Sequence, residues 1–114
     1  KNNGEFIARI AELDKKGVDI ARLMTAAVGI SAEGGEFTEI VKKIAFQGKE
    51  LNGEVKLHMV KELGDVFWYF SQACMALDID FNQVLATNMA KLLARYPAGN
   101  FEVNKSENRA QGDI

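Results

Sequence analysis

The single proline of this chain stands at position 97 of 114, so nothing before it breaks a helix by removing a backbone donor. Along that stretch the apolar residues recur at helical spacing. Phe6, Ile7, Ile10 and Leu13 mark a first helix within "GEFIARIAEL", which "DKKG" ends. A second pattern runs from about Val18 to Phe46, with Phe37, Ile40, Val41 and Ile44 at i, i+3, i+4 and i+7. A third runs from about Glu54 to Leu77, with Met59, Leu63, Val66, Phe67, Phe70, Cys74 and Leu77 on one stripe and Asn52 placed to cap it. Asp80 with Gln83 three residues on reads as a capping box opening the last helix, Phe81 to about Arg95. Tyr96-Pro97-Ala98-Gly99 ends that helix. No convincing strand emerges. The expectation is an all-α bundle of four or five helices, the count turning on whether residues 29–35 interrupt the second pattern. Residues 1–97 form the helical domain and 98–114 a polar arm or tail.

Bulk properties narrow the function. The net charge is −2, and no basic run exceeds two residues. That excludes a large nucleic-acid groove, which needs clustered Lys and Arg. Cys74 is the only cysteine, so no disulfide forms within the chain; in its apolar run it reads as a small buried hydrophobe. No apolar stretch approaches the roughly 20 residues that span a membrane. No signal peptide is visible, and cytoplasm is the default location. A chain this size buries only about two thirds of its unfolded surface, so its core is modest. Apolar residues surround much of the second and third helices, and Trp68 faces away from the Met59 stripe. Both features point to an oligomer.

The acids carry the chemistry. At about 100° per residue, Glu33 falls within the stripe of Phe37, Ile40, Val41 and Ile44, and Glu36 falls on its edge. In "KELGDVFWYF", Glu62 and Asp65 repeat the spacing of three, with Glu62 at the flank of the stripe and Asp65 further round, beside Tyr69. If the two helices pack antiparallel, four carboxylates converge. Such a group needs a counterion, and all-oxygen ligands favour Mg²⁺ or Mn²⁺. The other reading keeps these acids solvated or salt-bridged. A di-iron bundle would show Glu-x-x-His twice; the one histidine, His58, reads as a flank or packing residue.

On the last helix Asn88, Lys91 and Arg95 share one face at i, i+3 and i+7. A cationic and amide edge suits phosphate oxygens. Lys43 and Gln47 lie on the same side of the second helix as Glu36 and are candidates for the same phosphates. Pairing with surface acids is the alternative.

Three stretches, "GISAEGGEFTEIVKK", "KELGDVFWYF" and "NMAKLLARYP", resemble, in order and spacing, the MazG-type all-α nucleoside triphosphate pyrophosphohydrolases. The likeness spans roughly Ala21 to Pro97, and the tail "SENRAQGD" is similar to that of short single-domain members, viral ones included. The resemblance implies a helical bundle working as a homodimer or homotetramer, in the host cytoplasm if viral. It implies cleavage of a (d)NTP between the α and β phosphates, to (d)NMP and pyrophosphate. Its metal ligands would be Glu33, Glu36, Glu62 and Asp65. Asn88, Lys91, Arg95 and Tyr96 would stand on the substrate side. Many members begin the first motif with paired glutamates; here Ala32 takes the first place.

The expected mechanism is Mg²⁺-assisted attack of water on a phosphoanhydride, with Glu36 taking the proton and Glu62 in the catalytic set. Lys91 and Arg95 would stabilise phosphate charge in the transition state. Tyr69 is a candidate substrate contact. Phe6, Arg9 and Trp68 are weaker candidates for stacking on the base, with core or subunit packing the competing role. Two other readings stand beside this one: a non-catalytic module binding metal and nucleotide, and a structural bundle with solvated acids. Gly34 and Gly35 point away from Glu33 on a continuous helix, where they would let another helix or a second subunit approach the backbone.

Overall fold

The computed structural model describes residues 2–97; the arm expected over 98–114 lies outside the described residues. Four helices make up the fold: α1 (Asn3–Lys15), α2 (Ile20–Phe46), α3 (Gly53–Leu77) and α4 (Phe81–Arg95). Among the described residues there is no strand. The second pattern is one unbroken helix, so Gly29, Gly34 and Gly35 are absorbed within α2. Each such glycine weakens a helix by about 1 kcal/mol relative to Ala, which a helix of this length packed on a partner tolerates.

Each helix starts on an Asn or Asp whose side chain accepts an orphan backbone N–H. Asn2 accepts from Glu5, Asp19 from Arg22, Asn52 from Val55 at 3.0 Å and Asp80 from Gln83 at 2.7 Å. α1 closes with the N–H groups of Val18 and Gly17 returning to the carbonyls of Leu13 and Asp14. After α2 the chain turns at Gly48, whose φ of 71° suits glycine, and Lys49 N–H folds back to the Lys43 carbonyl. α3 stops at Asp78, itself in the left-handed region.

The chain divides after Asp78 into two compact units, α1 to α3 in the first and α4 in the second. Within the first, α2 packs along α3, and α1 touches α2. Gly29 meets Tyr69, while Glu33 meets Glu62 near Asp65, so the partner's number falls as α2 advances: the pair is antiparallel.

The buried apolar set is small: Ala26, Ile40, Val55 and Cys74. Cys74 is thus a buried hydrophobe, as its apolar surroundings predict. The expected α3 stripe needs correction. Leu63, Phe67 and Leu77 are exposed, Val41 on α2 is exposed too, and the buried places on α3 belong to Val55, Glu62 and Cys74. The hydropathy pattern follows all apolar residues of α3, whereas the α2 contact takes only a narrow face. Trp68, at 61% exposure, points to solvent in the single chain. Phe6 is exposed as well, and Arg9 pairs with Glu12 at 2.8 Å on the surface of α1. No described helix is long and apolar enough to cross a membrane.

Candidate metal centre

Two turns, one on α2 and one on α3, bring the acids together. Glu33 lies on the packed face of α2, with Phe37 and Ile40 following it at i+4 and i+7. Glu62 is buried at 8% exposure, deeper than its predicted place at the stripe's flank. The contact face of α3 is rotated toward Glu62, and Leu63 is turned outward. Asp65, one turn on, is exposed. Carboxylate oxygens of Glu33, Glu62 and Asp65 all lie within 4.8 Å of one another. Glu36 is exposed at the border of this trio, within side-chain contact of both Glu33 and Glu62.

The cluster's electrostatics are those of crowded like charges. Glu33 is pushed up to about 7, first by its hydrogen bond with Glu62, then by burial, by Glu36 and by the charge of Asp65. For Glu62 the hydrogen bond with Glu33 acts downward. Contact with Glu36, burial, and the charges of Glu36 and Asp65 outweigh it, so its carboxyl also sits above the ordinary range. A proton shared between Glu33 and Glu62 would relieve part of the repulsion.

The residues fit a hard divalent cation. Glu33 Oε2 and Glu62 Oε2 are buried without a hydrogen-bond partner. A buried carboxylate oxygen left unpaired costs several times an ordinary hydrogen bond. The donor set is carboxylate oxygen throughout, the chemistry of Mg²⁺ or Mn²⁺.

His58 has a closer connection than its sequence position suggested. Its Nε2 lies 3.3 Å from Glu62 Oε1, one turn earlier on α3. The i,i+4 spacing to Glu62 is legible in the sequence; what hid the contact was placing Glu62 at the edge of the stripe. Gly29 was missed as well. A Cβ built there would stand 2.2 Å from the Tyr69 ring, so it is Gly29 that allows the close approach of the two helices. Gly34 and Gly35, expected to serve such an approach, have no atom beyond their chain neighbours and their own helix backbone within 4 Å of an added Cβ.

The remaining predicted residues fall in three places. Tyr69 is half-buried on Gly29, one turn beyond Asp65. Lys43 is exposed in the last turn of α2. On α4, Asn88 and Lys91 line one shallow groove with Gln83, Val84 and Thr87, while Arg95 ends the helix and Tyr96 caps it.

Comparison with known proteins bears on this constellation. The "Gene 37 protein" of Mycobacterium phage L5 is 34% identical over 82 residues, covering 70% of this chain and 71% of that protein. No solved structure matches significantly. The profile of the MazG nucleotide pyrophosphohydrolase domain matches residues 21–99, a span containing both acid pairs and the whole α4 face. The chain belongs to the MazG nucleotide pyrophosphohydrolase family.

Proposed function

We propose that this protein is a Mg²⁺-dependent nucleoside triphosphate pyrophosphohydrolase that converts a (d)NTP to (d)NMP and pyrophosphate. Family membership supports the broader class, a nucleotide pyrophosphatase of a generally metal-dependent kind. The observation that carries the finer reading is the carboxylate trio within 4.8 Å, with two buried oxygens awaiting a partner.

Glu33, Glu62 and Asp65 would hold the cation, with Glu36 as a fourth ligand or as the proton acceptor. When bound, a divalent cation offsets phosphate charge and makes a coordinated water more acidic. Everything else falls to the chain. Glu36 is solvent-facing beside Glu33 and Glu62, a suitable post from which to take a proton from attacking water. His58 orients Glu62 through the 3.3 Å contact. Lys43, Asn88, Lys91, Arg95 and Tyr96 are assigned to the substrate's phosphates, and Tyr69 to its nucleoside side. With no covalent enzyme intermediate required, the rate gain comes from positioning and electrostatics.

The working species is a homodimer or homotetramer. Among the described residues twenty large apolar side chains are exposed, Val60, Leu63, Phe67 and Trp68 in one run of α3 among them. The proposed location is the cytoplasm, where free nucleotides are found, or the host cytoplasm if the protein is viral.

A panel of ribo- and deoxyribonucleoside triphosphates with Mg²⁺, read for monophosphate and pyrophosphate, tests the assignment. Turnover of at least one substrate to these products is expected. Nucleotide-dependent stabilisation without turnover would replace it with a binding module. Neither effect would leave a structural bundle.

A further inference from the structure

Tyr69 sits at a boundary in the chemistry of the α2–α3 pair. Its ring lies against the backbone of Gly29, where an added Cβ would meet Cδ1 at 2.2 Å and Cγ at 2.3 Å. Only a hydrogen fits between them. Gly29 precedes Glu33 by one turn, and Tyr69 follows Asp65 by one turn, so this contact adjoins the carboxylate cluster directly. Beside it runs a groove of about 410 Å³, walled by Met24, Val28, Ala32 and Tyr69, with Glu33 as its only charged lining residue. The Thr25 hydroxyl in the groove is already engaged with the Ala21 carbonyl at 2.9 Å.

The opposite end of the helix pair is more polar. There Lys49, His58 and Lys61 share a cavity of about 400 Å³ with Glu54, Val55 and Leu57, and His58 touches the carboxylate cluster through Glu62. A ligand with an uncharged, partly aromatic half and a polyanionic half matches this polarity in one direction. Its uncharged half can leave water against Met24, Val28 and the Tyr69 ring at low penalty. Its anionic half belongs at the carboxylate cluster, where a divalent cation held by Glu33, Glu62 and Asp65 would offset its charge.

We propose that Gly29 is a positioning residue: by letting the Tyr69 ring lie against the α2 backbone it keeps open a groove that takes the nucleoside half of the substrate, with the phosphate chain at the carboxylates. The proposal rests on the nucleoside triphosphate reading above. Gly29→Ala would lift the ring into the groove. Val28→Glu would place a carboxylate in the groove from an exposed position, without touching the helix contact.

The test compares wild type with both variants in Mg²⁺, for a hydrolysed nucleoside triphosphate and for inhibition by inorganic tripolyphosphate, which has the phosphate chain and no nucleoside. Both variants should raise KM for the nucleotide about tenfold or more, hold kcat within about threefold, and leave tripolyphosphate inhibition unchanged. Unchanged KM in both variants overturns the proposal. So does parallel loss of nucleotide and tripolyphosphate affinity, which marks a distorted carboxylate centre. If Gly29→Ala does not fold, Val28→Glu decides alone. A wild type that binds tripolyphosphate but no nucleotide overturns the groove assignment; one that binds neither overturns the functional reading with it.

Discussion

Glu33 on α2 and Glu62 on α3 bring carboxylate oxygens within 4.8 Å of each other across the helix pair, and each has a buried oxygen without a hydrogen-bond partner. Hydrophobic packing alone would not select this arrangement, because it buries acids where apolar side chains would serve better. Its cost is offset if the same oxygens receive a cation. Several measurable consequences come from that one relationship.

The first concerns pH. Glu33 is raised from 4.5 to about 7 in the fold, so it takes up a proton more readily folded than unfolded. Its contribution is fully present below the unfolded value and is lost as pH rises through about 7. In the presence of a chelator, the melting temperature should therefore fall between pH 5 and pH 8, and Glu33→Gln should flatten that slope. Mg²⁺ competes with the proton, so its stabilising increment should grow over the same window. Thermal melts with and without Mg²⁺ check both signs; an increment independent of pH would contradict the account.

His58 gives a second. Its contact with Glu62 at 3.3 Å fixes the orientation of a carboxylate placed to ligate. Removing such a partner typically weakens metal affinity about 10- to 100-fold. For His58→Ala, the Mg²⁺ concentration giving half-maximal activity should rise by about that factor, with kcat at saturating Mg²⁺ largely kept. An unchanged Mg²⁺ requirement would make the contact incidental.

The glycines give a third. Gly34 has no atom beyond its chain neighbours and its own helix backbone within 4 Å of an added Cβ, so Gly34→Ala should stabilise the protein by about 0.5–1 kcal/mol through helix propensity. Gly29→Ala, with the Tyr69 ring 2.2 Å from the new methyl carbon, should destabilise it. Chemical denaturation measures both. Destabilisation by Gly34→Ala would show that a second subunit closes on the backbone there.

Much of this was legible before the structure. The fourth helix, Phe81–Arg95, and its Asp80 cap follow from local chemistry, because capping and the Pro97 stop act within a few residues. The two acid pairs were legible as well, since Glu33 falls within an apolar stripe on simple angular grounds. The face of α3 was not. Its apolar residues surround much of the helix, so the pattern could not say which narrow arc meets α2, and Glu62 was placed at the edge instead of in the contact. Gly29 was lost among three glycines; only the Tyr69 ring across the interface distinguishes it from Gly34 and Gly35.

The leftover apolar surface of α3 supplies a fourth prediction. With Leu63 at 52% and Phe67 at 54% exposure, the single chain lacks cover for this face. Light scattering should report at least twice the 12.6 kDa chain mass. Trp68→Asp should shift the distribution toward smaller species and lower the melting temperature. A stable 12.6 kDa monomer would contradict the oligomeric reading.

The central claim is that Glu33, Glu62 and Asp65 hold the cation that drives phosphoanhydride hydrolysis. Its most direct test is Mg²⁺-dependent product formation by wild type and Glu62→Gln, followed by phosphorus NMR, with helicity monitored in parallel. The account predicts equimolar nucleoside monophosphate and pyrophosphate from wild type. It predicts a rate loss beyond about 100-fold in the variant, whose helical spectrum persists. Near-wild-type turnover in Glu62→Gln, or diphosphate and inorganic phosphate as the products, would contradict it.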